Sequence, residues 1–140
     1  MLNRETNNLG QKAYQSTSKE DRSLPYRNWV RSNTLNGFFC DLDLVKWKRD
    51  GDKLIPCCLT EITRCDDETI SPAYLKAIEV RYFEKELQGK VIETMSKLLG
   101  IPAYIVLYQK DFNWLKVYSF NKKVWKDFTE EEWAEYLRGL

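Results

Sequence analysis

Three carboxylates have the types and spacing for chemistry: Asp41, Asp43 and Glu61, all within the stretch FFCDLDLVKWKRDGDKLIPCCLTEITR at residues 38–64. This stretch predicts two β-strands joined by a tight turn at Asp50-Gly51, a dipeptide suited to the positive φ of a short hairpin loop. Side chains alternate faces along a strand, so Asp41 and Asp43 project from one side, as do Glu61 and Thr63. With the turn centred on Asp50-Gly51 or Gly51-Asp52, paired residue numbers sum to roughly 101–103. Asp41 then falls beside Glu61, and Asp43 lies one step along the same face. Carboxylates converging among Leu42, Leu44, Val45, Ile55, Leu59 and Ile62 are costly to bury unless something compensates their charge. A divalent cation, Mg2+ or Mn2+, would do so through oxygen ligands. The plainer alternative is the solvated face of an antiparallel sheet. Against it, the second arm, LIPCCLTEIT, is mostly apolar and reads as a strand covered on both faces.

Composition removes several other chemistries. The 140 residues contain no histidine, which excludes His-based acid–base catalysis, Cys–His zinc sites and His-containing triads. Cys40, Cys57, Cys58 and Cys65 include no Cys-x-x-Cys pair. Adjacent strand residues such as Cys57 and Cys58 point to opposite faces, so buried free thiols are the better reading. No Gly-rich phosphate loop precedes a helix. The formal net charge of +1 advertises no general affinity for nucleic acid, so any such contact must be local. No apolar run approaches the roughly 20 residues of a bilayer span, and the expectation is a cytoplasmic protein with no membrane partner.

The elements that must position the acids follow in order. Residues 1–22 are polar and read as an arm, and residues 23–140 as one domain. Ser23-Leu24-Pro25 opens a short helix through Arg31, whose Trp29 and Val30 can pack on the sheet. Asn36-Gly37 signals a turn before the hairpin. The acidic loop Cys65–Thr69 either extends a metal site or is simply solvated. Ser71-Pro72 caps a helix that can run to Leu99, where Gly100 stops it, and Gly89 marks a bend or a close approach. Arg81, Lys85 and Gln88, spaced by four and three, share one flank of that helix. Ile101–Tyr108 is the clearest strand, and Trp114–Phe120 returns as an edge strand. Lys122, Lys123 and Lys126, interleaved with Trp125, make a basic cluster that suits either a phosphate backbone or a surface patch over an inward aromatic. Thr129 with Glu132 forms a capping box for a last helix through Leu137.

An acid on a first strand, a hairpin, an acid-x-polar triplet on the next strand, then a helix and a strand: over about residues 25–120 this order resembles the PD-(D/E)XK nuclease superfamily. The resemblance implies an α/β (α+β) restriction-endonuclease-like domain, with a mixed central sheet flanked by helices and core order αβββαβ. It implies Asp41 or Asp43 at the motif's Asp and Glu61 at the acid of the triplet. The triplet reads Glu61-Ile62-Thr63, so Thr63 stands where the family has a lysine that orients water and stabilises charge. Many members send a Gln or Lys from the following helix toward the metal-binding strands, which points to Gln88 and Lys85. A solvated flank is the alternative for each of these two. The activity implied is Mg2+- or Mn2+-dependent endonucleolytic hydrolysis of DNA phosphodiesters, with a homodimer as a common arrangement. The alternative is a catalytically inactive module of the same fold that binds nucleic acid or a protein partner, with Thr63 as the sign of lost catalysis.

Overall fold

The computed structural model describes residues 22–33 and 40–140. The expected polar arm, up to residue 21, and the Asn36-Gly37 turn lie outside the described residues. These residues fall into two units divided after Phe39. In the first, helix α1 (Leu24–Asn33) begins as expected, with the Arg27 N–H donating to the Ser23 carbonyl at 2.9 Å. Its last turn is closed by the Asn33 side chain, which donates to the Trp29 carbonyl at 2.7 Å.

The second unit is a mixed α/β arrangement around a five-stranded sheet in the order β1-β2-β3-β4-β5. Strand β1 (Leu44–Asp50) and strand β2 (Lys53–Arg64) form the hairpin. They turn at Gly51, whose φ of 63° is easy only for glycine. Helix α2 (Pro72–Val80), a π-helical turn (Arg81–Lys85) and helix α3 (Gln88–Leu99) cross over to β3 (Ala103–Tyr108), which lies parallel to β2. Strands β4 (Leu115–Ser119) and β5 (Val124–Phe128) follow antiparallel, and helix α4 (Glu130–Arg138) ends the chain.

Local sequence explains most boundaries. The Ser71 hydroxyl accepts from the Tyr74 N–H at 3.1 Å, with Pro72 opening α2. Gly100 ends α3 in the left-handed region at φ 66°, ψ 33°. Thr129 and Glu132 make the reciprocal capping box of α4. Strand β3 is buried on both faces: Ile105 and Leu107 meet Leu59, Ile78, Tyr82 and Ile92 under α2 and α3. Tyr104 and Val106 meet Cys58, Leu115, Val117 and Trp133 under α4. Burying each large apolar side chain stabilises by about 1.5–3 kcal/mol, so the sheet centre carries the domain. Cys57 and Cys58 are buried free thiols. No helix among the described residues is long and apolar enough to cross a membrane.

Among the described residues two strands precede the crossover. Three expectations are corrected. The first arm becomes a strand only at Leu44, so Asp41 and Asp43 precede β1. The continuous helix to Leu99 is broken: after the π-helical turn Glu86 is extended (φ −117°, ψ 157°), and its N–H donates back to the Arg81 carbonyl. Finally, β4 is internal and the edge strand is β5, which takes in Trp125 and Lys126 of the expected basic cluster.

Gly89 explains the break. It is buried, and a Cβ there would stand 2.6 Å from the Tyr82 carbonyl oxygen and 2.8 Å from Phe83. The π-helical turn and α3 therefore pack closer than any side chain at position 89 permits. Gly89→Ala is expected to destabilise the domain by about 1–3 kcal/mol through overpacking, despite alanine's better helix propensity. A urea midpoint equal to or above the wild type's would contradict this close approach.

Candidate functional site

Glu61 lies in the second half of β2, one residue past the stretch paired with β1 and opposite Ile105 of β3, and is 2% exposed. Alternation along β2 places Leu59, Glu61 and Thr63 on the face covered by α2 and α3. Above it stands Gln88, the first residue of α3. Its amide Nε2 donates to Glu61 Oε1 at 2.5 Å and to the Asp41 carbonyl at 2.7 Å. The break in the crossover is what sets Gln88 there, because α3 starts afresh one residue before Gly89.

Asp43 approaches from the other side. A register shift between Lys46 and Trp47 adds one residue to β2, so Leu44 pairs with Thr60. With Asp50 opposite Lys53 at the turn and this added residue, the chain just before β1 brings Asp43, instead of Asp41, next to Glu61. The Asp43 Oδ2 accepts from the Ile62 N–H at 2.8 Å, and its carboxyl lies within hydrogen-bonding reach of Glu61. Leu42 packs against the core and anchors this segment. Asp41 contributes its carbonyl. Among the described residues no group of three or more acids or cysteines gathers as a metal cluster, so the structure assembles the pair Asp43–Glu61 and not the expected trio with Asp41.

The electrostatics follow from this geometry. Burial first, then the hydrogen bond and charge of Asp43, push the Glu61 carboxyl up to about 8, against the weaker pull of Gln88 and Arg81. A hydrogen bond between two carboxyls requires one proton between them.

Other candidates are placed differently. Thr63 Oγ1 shares a 3.1 Å hydrogen bond with the Tyr82 hydroxyl. Tyr82 is buried, and burial raises its hydroxyl pKa. Lys85 is exposed on the π-helical turn and has no hydrogen bond or ion pair among the described residues. Arg81 binds Glu86 at 3.2 Å and lies over the Tyr82 ring. The flank Arg81–Lys85–Gln88 therefore does not form, since a helical turn of different pitch and then an extended residue interrupt the spacing. Lys122 and Lys123 lie in the β4–β5 turn, Lys123 at φ 57°. Lys126 sits over the Phe128 ring, and Trp125 faces inward, donating to Glu79. In the acidic loop, Asp66 is tied to Arg64 at 2.7 Å and to the Lys110 N–H. Sequence reasoning missed Tyr82, whose only signal was an apolar helical position one turn from Ile78.

A groove of about 600 Å3, lined by Leu44, Cys58, Val106, Leu115 and Trp133 among others, opens on the opposite face of the sheet. It contains neither carboxylate.

Comparison of the chain with protein-family models, curated proteins and solved structures finds no match.

The raised Glu61 carboxyl makes stability depend on pH. In chelating buffer the folded protein keeps the Glu61 proton up to about pH 8, whereas the unfolded chain releases it near the ordinary 4.5. Between those values the folded state holds more protons, so its contribution is full below pH 4.5 and falls as pH rises, by at most about 1.4 kcal/mol per unit. Denaturant midpoints across this range are expected to drop for the wild type and to flatten in Glu61→Gln. Parallel profiles for the two proteins would contradict the assignment.

Proposed function

We propose that the pair Asp43–Glu61 is a divalent-cation site of a metal-dependent phosphodiesterase acting on nucleic acid, an endonuclease-like activity on a restriction-endonuclease-like domain. The single observation that carries this reading is a carboxylate 2% exposed on an internal strand of the sheet, beside a second carboxylate and, among the described residues, with no ion-paired cationic side chain. Two carboxylates with a nearby main-chain carbonyl suit Mg2+ or Mn2+, which use few protein ligands and leave positions for water and substrate phosphate.

When bound there, such a cation would neutralise charge at a phosphate and acidify a water. This chain's own residues do the positioning. Gln88 fixes the Glu61 rotamer by donating to one oxygen, leaving the other free to coordinate. The Ile62 N–H holds Asp43 in the same way. Tyr82 and Thr63 place two hydroxyls two residues along the same face of β2.

The Thr63–Tyr82 hydrogen bond also favours a second reading. It occupies the position at which the resembled family carries its lysine, which suits a module that binds nucleic acid without cleaving it.

One experiment separates these readings: incubation of single-stranded, double-stranded and branched DNA, and of RNA, with Mg2+ or Mn2+. Under the first reading cleavage requires metal and falls about 100-fold or more in Glu61→Gln and Asp43→Asn. Gln88→Ala, which removes only the orienting donor, costs about 10–100-fold. Either cation also raises the denaturant midpoint of the wild type at pH 8 but not of Glu61→Gln. Absence of cleavage by the wild type on every substrate selects the second reading.

A further inference from the structure

Beyond the register shift, the β1–β2 hairpin changes character. Strand β1 carries no inserted residue, so alternation places Val45, Trp47 and Arg49 on the face that bears Glu61. Val45 still packs against the core under the helices. Trp47, opposite Pro56, is 55% exposed, and Leu54, opposite Arg49, is 62% exposed. The segment Lys46–Lys53 holds four cations, Lys46, Lys48, Arg49 and Lys53, against two acids, Asp50 and Asp52. None of the four cations takes part in an ion pair among the described residues.

An exposed indole on a firm strand, backed by Pro56 and Leu54 and flanked by unpaired cations, matches the requirements of single-stranded nucleic acid. Every base offers a π-face to an aromatic ring, and phosphates on either side meet positive charge. A duplex buries those faces between neighbouring bases and offers one only at an end. A globally near-neutral protein with an acidic site needs such a local positive element, since the carboxylates by themselves repel the substrate backbone. Spacing links the two features. Asp43 and Trp47 are four residues apart on one strand, about 13 Å at 3.3 Å per residue, or about four stacked nucleotides at 3.4 Å each.

We propose that the β1–β2 hairpin binds single-stranded nucleic acid, stacking a base on Trp47 and holding a flanking phosphate with Arg49 on the same face, while Lys48 adds positive charge from the other face of this edge strand. This inference rests on the reading of Asp43–Glu61 as a phosphodiesterase site and names its substrate as single-stranded, or as an unpaired stretch within a longer duplex.

The test is binding of a fluorescently labelled oligothymidylate, and of a blunt duplex of equal length, to the full chain in chelating buffer, where no cleavage occurs. The single strand is expected to bind more tightly than the duplex. Trp47→Ala is expected to weaken it at least about fivefold and Trp47→Phe to retain most of the affinity. Arg49→Ala and Lys48→Ala each reduce the slope of log affinity against log salt by about 0.7. Equal affinity of wild type and Trp47→Ala overturns the proposal, as does wild type that binds neither probe, the result expected if Trp47 instead meets a protein. Metal-dependent cleavage together with an unchanged Trp47→Ala affinity rejects the hairpin and leaves the carboxylate site. Trp47-dependent binding without cleavage rejects the carboxylate reading and keeps the hairpin.

Discussion

The desolvated carboxylate of Glu61 is the constraint around which the domain is arranged. Strand β2 is antiparallel to β1 and parallel to β3, so it is paired on both edges, and α2 and α3 cover the face on which Glu61 points. An acid in that place is tolerated only with donors and counter-charge at hand. The chain supplies a donor through Gln88, and burial beside Asp43 holds the Glu61 carboxyl toward its protonated form. Supplying Gln88 requires α3 to start where it does, and that start requires the crossover to break. The break requires a residue without a side chain at Gly89, pressed against the Tyr82 carbonyl. Packing and polar satisfaction are thus one problem here, solved by one glycine and one glutamine in adjacent positions.

Elements with strong local chemistry were legible in the sequence. The Asp50-Gly51 turn, the Ser71-Pro72 cap, the Thr129–Glu132 box, the Gly100 stop and the apolar strand at β3 all occur where short-range rules place them. Each depends on two to four residues and little else. Glu61 was legible for a related reason: an acid in a run apolar enough for burial has few bland explanations. Gln88 was reached only through a family resemblance, and its partner atoms could not have been read from spacing, because the spacing passes through a π-helical turn.

What failed was whatever depends on a count carried over distance. A turn one step out from the pairing of Asp41 with Glu61 (Asp50 opposite Lys53), together with one extra residue on β2, exchanges Asp41 for Asp43 beside Glu61. Nothing in KWKRDGDKLIPCC marks that bulge locally, although Pro56, which cannot donate to a ladder, adjoins it. Likewise Arg81–Lys85 has the composition of an ordinary helix, and its wider pitch arises from the contact at Gly89. Strand β5 was overlooked because its lysines drew attention as charges, while Val124, Trp125 and Phe128 already had the mixed apolar character of an edge strand.

The two ends of β1 have opposite electrostatic characters, and the bulge divides them. Near Asp43 the strand belongs to the core, with Val45 under the helices and the raised carboxyl of Glu61 close by. Beyond the bulge the same face carries Trp47 and Arg49 into solvent, outside the cover of α2 and α3. A bulge increases local twist and re-aims the strand that follows it, so the hairpin arm is free to present a surface the core does not need. Folding alone gives no reason for a bare indole among unpaired cations, because exposure of a large apolar ring brings no stability. The acid pair has the converse difficulty, too much burial for its charge. Under the proposed reading, a polyanion whose bases stack and whose phosphates attract a metal ion would relieve both at once, and the carboxylates and the hairpin would then act along one strand.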